Sequence, residues 1–274
     1  MASTGVRATR APTMAESSDH LGDNARMEHL VTVIRSGTEM TTKPVAIFRH
    51  SPGEGAGYFA TFLDAHRLPH VLIPIDAGAS VPRDVDDFSG LCFMGGPMSV
   101  NDDLPWLAPS FALIRFAVAR GVPVIGHCLG GQMMAKALGG SVSRNAVKEL
   151  GWGRVEVTSP LAADWLGDIA AFDAFHWHGE TFSLPPGATR LLKSAYCENQ
   201  AFALGPHLAM QCHVEMTEAM IRDWNHVWAA EKAAPGPSVQ TPEEMYPGME
   251  ARINAMRQVA DRLYRRWIAG LKAE

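Results

Sequence analysis

From Lys43 onward, short apolar runs alternate with segments whose apolar residues recur every three or four positions. Val45-Ala-Ile-Phe48, Val71-Leu-Ile-Pro-Ile75, Leu91-Cys-Phe-Met94 and Val122-Pro-Val-Ile125 have strand length and no polar face, the pattern of strands buried on both sides. Pro52-Gly-Glu-Gly-Ala-Gly57 is a turn-rich loop, followed by a short helix through Phe62 and Leu63. Leu107, Phe111, Ile114 and Val118 form one helical stripe; Asp102 or Asp103 is placed to cap it, Pro105 to sit in its first turn and Gly121 to end it. A further helix runs from the end of the fourth strand to Gly139-Gly140. Such alternation predicts an α/β fold, a mostly parallel central sheet with helices on both faces. The later half reads as more β-rich, with strands at Arg154–Val157, Thr189–Lys193, Ala201–Leu204 and Leu208–Gln211. Two helices close the chain. Thr217 caps the first, whose Ile221, Trp224 and Trp228 share a face; in the second, Ile253, Met256, Ala260, Leu263 and Trp267 face the sheet. The Pro-rich stretch Ala233–Gly248 between them is expected to be a loop.

Residues 1–43 have a different texture, without helix or strand period. They lack the apolar centre of a secretory signal, and Glu16, Asp19, Asp23, Glu28 and Glu39 argue against a mitochondrial transit peptide. The expectation is a disordered N-terminal extension, or translation assigned too far upstream, since Met14, Met27 and Met40 could each start the chain. The organisation that follows is an extension over 1–43, a main α/β domain over 44–230, and a loop plus C-terminal helix over 231–274 packing on that domain. Composition narrows the function. The 274 residues carry a formal net charge of −5, so a dedicated nucleic-acid binder, which needs a concentrated basic face, is disfavoured. No run approaches the roughly 18 uninterrupted apolar residues of a membrane span. Cys92, Cys128, Cys197 and Cys212 are too scattered for a disulfide framework or a CxxC metal site, which suits a reducing, cytoplasmic setting. The arginines of the last helix (Arg252, Arg257, Arg262, Arg265, Arg266) read as a solvated face.

The sharpest chemical feature is Gly126-His-Cys-Leu-Gly130 between a strand and a helix, a thiol version of the nucleophile elbow. The turn raises Cys128 to the carboxyl edge of the sheet and onto a helix N-terminus, where the positive end favours thiolate over the ordinary value of about 8.5. Cys212-His213-Val214-Glu215 follows a predicted strand; at i and i+2, His213 and Glu215 project to one side, so that Glu215 can hold one ring nitrogen while the other faces a thiol. Phe93-Met94-Gly95-Gly96-Pro97 is an abrupt small-residue turn whose N–H groups, with that of Leu129, could meet a developing oxyanion. Each motif alone has a bland reading: a core cysteine, a surface His–Glu neighbour pair, a plain Gly-Pro turn.

Together, and in this order, Gly-Gly-Pro at 95–97, Gly-His-Cys-Leu-Gly-Gly-Gln at 126–132 and His-Val-Glu at 213–215 resemble the class I glutamine amidotransferase domain. His176-Trp-His-Gly-Glu-Thr-Phe182 is similar to the stretch that family places between elbow and histidine. The resemblance covers about residues 44–230 and looks greatest to the stand-alone branch related to the glutaminase half of GMP synthase. It implies a flavodoxin-like three-layer sandwich and a Cys-His-Glu triad that hydrolyses the glutamine side-chain amide through a γ-glutamyl thioester. Cys128 is then the nucleophile, His213 the general base and acid, and Glu215 the orienter. Gly96 and Leu129 match the oxyanion positions, Gln132 the contact to the glutamine head group, and Gly179 the loop binding the α-carboxylate region. His178 is placed with these as a wall of the substrate pocket.

Two departures stand out. Val214 occupies the usual proline position, and His127 replaces an aliphatic residue, which points to a different pocket or partner surface. An HxH pair such as His176 and His178 could ligate a metal, but no third donor lies at ligand spacing, so neither a metal nor another cofactor is expected. Cys92 reads as core, and Cys212 as packing or a redox liability. The ammonia has no acceptor in this chain: there is no phosphate loop, and about 45 residues after position 230 are too few for another catalytic domain. The chain therefore either supplies a separate synthetase subunit or works alone as a γ-glutamyl hydrolase or peptidase. A non-catalytic thiol sensor or binding module of the same fold is the rival from another class.

Overall fold

The computed structural model describes residues 43–227 and 234–272. All of the expected N-terminal extension except Lys43, its internal methionines, Trp228 and Ala233 lie outside the described residues. In chain order the elements are β1 (Val45–Arg49), α1 (Gly57–Ala65), β2 (His70–Pro74), β3 (Gly90–Phe93), α2 (Leu107–Ala119), β4 (Val124–His127), α3 (Leu129–Ala137), β5 (Val142–Val157), α4 (Ala163–Leu166), β6 (Ala171–Phe182), β7 (Thr189–Ser194), β8 (Ala201–Leu204), β9 (His207–Met210), α5 (Glu218–Val227), α6 (Pro242–Met245) and α7 (Met249–Ile268).

The strands form one nine-stranded sheet in the order β2-β1-β3-β4-β9-β8-β7-β5-β6. The half from β2 to β9 is parallel, and the half from β9 to β6 is antiparallel. Alternation along β1 shows why the parallel strands are uniformly apolar. Val45 and Ile47 enter one core with Phe59, Phe62 and the α7 residues Leu263 and Trp267, while Ala46 and Phe48 enter the other with Leu113, Ile114 and Met133. The three-layer arrangement is thus set by strands that must be apolar on both sides. Among the described residues, no helix is long and apolar enough to cross a membrane.

Three local expectations are corrected. Helix α2 begins at Leu107, after Trp106, so Pro105 precedes it and neither Asp102 nor Asp103 caps it; Asp102 instead accepts the Ser99 N–H at 2.9 Å. Its buried stripe is Leu107, Ser110, Leu113, Ile114 and Ala117, with Phe111 and Val118 only half-buried. Ser110 can join the core because its own hydroxyl is satisfied, donating to the Trp106 carbonyl at 2.7 Å. The expected loop over 233–248 contains α6, started by Pro242 and by Glu244, whose carboxylate accepts the Thr241 N–H at 2.8 Å. The arginines of α7 are not simply solvated: Arg257 lies over Tyr58 at 4.8 Å, Arg266 over Trp165 at 5.2 Å, and Arg262 pairs with Asp168 at 2.8 Å.

Leu263 is 1% exposed and joins α7 to the core beneath β1 and β3. Leu263→Ala should therefore cost about 2–5 kcal/mol in urea unfolding. A loss below about 1 kcal/mol would mean that α7 contributes little to the core.

Candidate active site

The parallel half delivers β4 to a tight turn at Cys128, whose φ of 50° and ψ of −107° are unusual for a residue with a side chain. The turn is locked on both sides. Cys128 N–H donates to Met210 O of β9 at 2.8 Å, and a Cβ at Gly130 would collide with the Phe93 carbonyl of β3. Only glycine lets the first turn of α3 approach β3 this closely. The result is a thiol facing a cleft of about 370 Å³, which lies toward the small end of ligand pockets, about 300–1,000 Å³.

His213 enters the same cleft from beyond β9. Its backbone exchanges hydrogen bonds with Phe175 of β6 (2.8 and 3.2 Å), which pins the segment to the antiparallel half. The ring Nδ1 meets Glu215 Oε1 at 2.6 Å, and Trp224 packs edge-on to the ring with centroids 4.9 Å apart. His213 Nε2 is buried with no hydrogen-bond partner. Burial alone would raise the Glu215 pKa, but the His213 and His127 rings and the short hydrogen bond outweigh it and hold the carboxyl at about 2.

The thiol differs from the sequence expectation. Burial pushes Cys128 well above its ordinary value, with Glu54 and Glu215 adding to the effect, and the Leu129 N–H pulls only weakly the other way. A helix N-terminus acts over one turn, whereas desolvation beside two carboxyl groups acts on the whole thiolate charge. Sγ rests 3.6 Å from the Gln211 side-chain nitrogen and 3.9 Å from the Trp177 carbonyl oxygen.

The remaining expected residues fall as follows. Gly96 lines the cleft and backs onto Leu129, whose side chain fills the space that a Cβ at 96 would need; Leu129 itself is buried behind the turn. Gln132 lines the cleft and donates to Gln211 Oε1 at 3.1 Å. His178 and Gly179, on β6, form the opposite wall with Lys148, Trp177 and Glu180. His176 does not reach this cleft. It is fully buried, bonds the Gly153 carbonyl at 3.3 Å and has its pKa pushed down by burial to about 4.

The third donor missing from the sequence spacing is supplied by the sheet. Glu149 of β5 pairs in register with His178, and Cys197 completes a group whose ligand atoms lie within 4.8 Å of one another. The carboxylate is already engaged by Ser194 Oγ at 2.8 Å, Gln200 Nε2 at 2.7 Å and His178 Nε2 at 3.2 Å, and His178 Nδ1 bonds the Glu180 carbonyl at 2.9 Å. The group is thus a saturated hydrogen-bonded wall behind the cleft.

His127 faces neither cleft nor surface. Fully buried, it approaches Tyr264 Oη at 3.1 Å and Glu215 Oε2 at 3.9 Å, and so joins the packing of α7 rather than shaping the pocket or an outer surface. Cys92 and Cys212 are fully buried core residues. Sequence reasoning missed Glu54, Trp177, Gln211 and Trp224. A signal existed for two of them: Glu54 is a lone carboxylate in a glycine turn, and Gln211 is two residues from His213.

The depressed Glu215 carboxyl fixes a sign. Its stabilisation is complete above the unfolded value of about 4.3 and is lost as pH falls toward about 2. Wild-type protein should be more stable than Glu215→Gln at neutral pH, by a margin that shrinks as urea unfolding is repeated from pH 4.5 down to 2. A margin independent of pH would show that the carboxylate charge contributes nothing to the pair.

Residues 65–221 match the protein family described as glutamine amidotransferase class-I. The glutamine amidotransferase-like protein YfeJ of Salmonella typhimurium is 30% identical over 179 residues, which is 61% of this chain and 74% of YfeJ. The glutamine-hydrolyzing GMP synthase of Vibrio vulnificus is 33% identical over 49% of this chain, and the match spans only 26% of that protein. The crystal structure of a glutamine amido transferase from Methylobacillus flagellatus superposes with a TM-score of 0.83 at 44% identity, covering 85% of this chain and 97% of that one. The chain therefore belongs to the class I glutamine amidotransferase family.

Proposed function

We propose that this chain is a cysteine amidohydrolase of the glutamine amidotransferase type, which hydrolyses the glutamine side-chain amide through a γ-glutamyl thioester and releases ammonia. One observation carries the reading: Cys128, on its strained turn, opens onto the same cleft as an imidazole whose far nitrogen is held by Glu215 at 2.6 Å and whose near nitrogen is free. With the thiol protonated at rest, attack is coupled to proton transfer. Cys128 passes its proton to His213 Nε2 as Sγ bonds to the amide carbon. The oxyanion accepts the N–H groups of Gly96 and Leu129. His213 returns the proton to the leaving nitrogen, the C–N bond breaks and ammonia departs; His213 then takes a proton from the water that attacks the thioester carbon and passes it to Cys128 Sγ as the C–S bond breaks and glutamate leaves. Glu215 keeps the ring oriented and stabilises its charged form. Gln132 and Gly179 hold the glutamyl end, against the wall that His178 forms with both ring nitrogens engaged by the protein. A reducing, cytoplasmic setting keeps Cys128 a thiol.

The GMP synthase relatives support delivery of the ammonia to a separate synthetase subunit. Coverage of nearly the whole Methylobacillus amido transferase supports a second reading, a chain acting alone on γ-glutamyl amides or peptides. Activity on such substrates without a partner favours the second; co-purification of a synthetase favours the first.

Cys128→Ala should lower glutamine turnover by about 10⁴-fold or more. A glutamine-like diazoketone should label wild-type protein at Cys128, as read by peptide mass spectrometry. Turnover that survives the substitution would refute the nucleophile assignment, and absence of both turnover and labelling in wild-type protein would favour a non-catalytic binding module.

A further inference from the structure

The turn between β1 and α1 carries a carboxyl group that the mechanism above does not use. Glu54 is 4% exposed, and its side chain lines the cleft with Cys128, Gly96 and His213. Its carboxyl group forms no hydrogen bond or ion pair among the described residues. The group is held in place from both sides. The Gly53 carbonyl accepts the Trp224 indole N–H at 2.9 Å, and the Tyr58 N–H donates to the Glu215 carbonyl at 2.8 Å. The carboxyl occupies the space that a Cβ on Gly95 would take, a point 3.6 Å from His213 Cε1.

Burial, with the charge of Glu215 second, raises the Glu54 pKa well above the usual carboxylate range. With no protein donor beside it, the carboxyl presents its oxygens to the cleft, where a donor brought by a ligand can pair with them in place of solvent. A protonated nitrogen fits best, since it brings N–H donors and the opposite charge together. The geometry points to Glu54 as the ammonium-recognising group of this cleft, pairing with a protonated nitrogen of the substrate or product.

This inference rests on the amidohydrolase reading. Two nitrogens qualify: the α-ammonium of the glutamyl group and the amine that leaves. In the second case the Glu54 O–H proton passes to the released ammonia, giving an ammonium–carboxylate pair. Glu54 regains a proton from water when the ammonium departs, and no bond to carbon changes.

The test compares kcat/KM of full-length wild-type protein and Glu54→Gln on three substrates. These are L-glutamine, glutaramic acid (the same amide without the α-amino group) and the γ-methyl ester of glutamate, which has no leaving amine. Recognition of the α-ammonium predicts a loss of about tenfold or more on glutamine and the ester, with glutaramic acid unchanged. Recognition of the leaving amine predicts that loss on both amides, with the ester unchanged. Equal loss on all three, or no loss, overturns the proposal. Should Glu54→Gln fail to fold, Glu54→Asp gives the same comparison, since a shortened carboxyl must show the same substrate-selective loss. Wild-type protein inert on all three and unlabelled at Cys128 would instead sink the amidohydrolase reading itself.

Discussion

The backbone of Cys128 is the constraint on which the rest depends. A side-chain-bearing residue at positive φ costs about 1–3 kcal/mol and persists only where its surroundings over-determine it. Here the hydrogen bond to Met210, the close passage of Gly130 under Phe93 and the pairing of β4 between β3 and β9 do so together. The parallel half of the sheet can thus be viewed as the frame that keeps one turn in a conformation it would not adopt alone.

The antiparallel half has a different task. It supplies the far wall through β6 and, through the Phe175–His213 bridge, fixes the height at which the imidazole enters. Glu149, Ser194, Gln200 and His178 stiffen that wall with polar contacts where an apolar core would have left the cleft face unsupported. Beneath the carboxylate, His127 and Tyr264 extend the polar chain to α7, so the C-terminal helix reaches the electrostatics of Glu215 without touching the cleft.

How much was legible in the sequence follows from the range of each interaction. Strands β1, β3 and β4 were readable because burial on both faces leaves an uninterrupted apolar run, and Cys128, His213 and Glu215 because each lies in a motif of a few residues. The stripe of α2 was misplaced by Ser110, whose burial depends on a bond to its own helix, and α6 was hidden in a Pro-rich stretch whose capping pair went unread. The thiol's proton affinity was misjudged because the helix end is local while desolvation is tertiary. Glu149 stands far from His178 in sequence and meets it only through strand pairing, while Cys197 reaches the group from the connection between β7 and β8.

The mixed sheet also has a temporal consequence. The reactive turn and the three strands beside it on the parallel side are encoded before residue 130, whereas β9, which closes its other flank, and the imidazole come some eighty positions later. A growing polypeptide therefore exposes Cys128 as an ordinary thiol well before its partners exist. The thiol meets that imidazole only once residues 207–215 have been made and paired with β4 and Phe175.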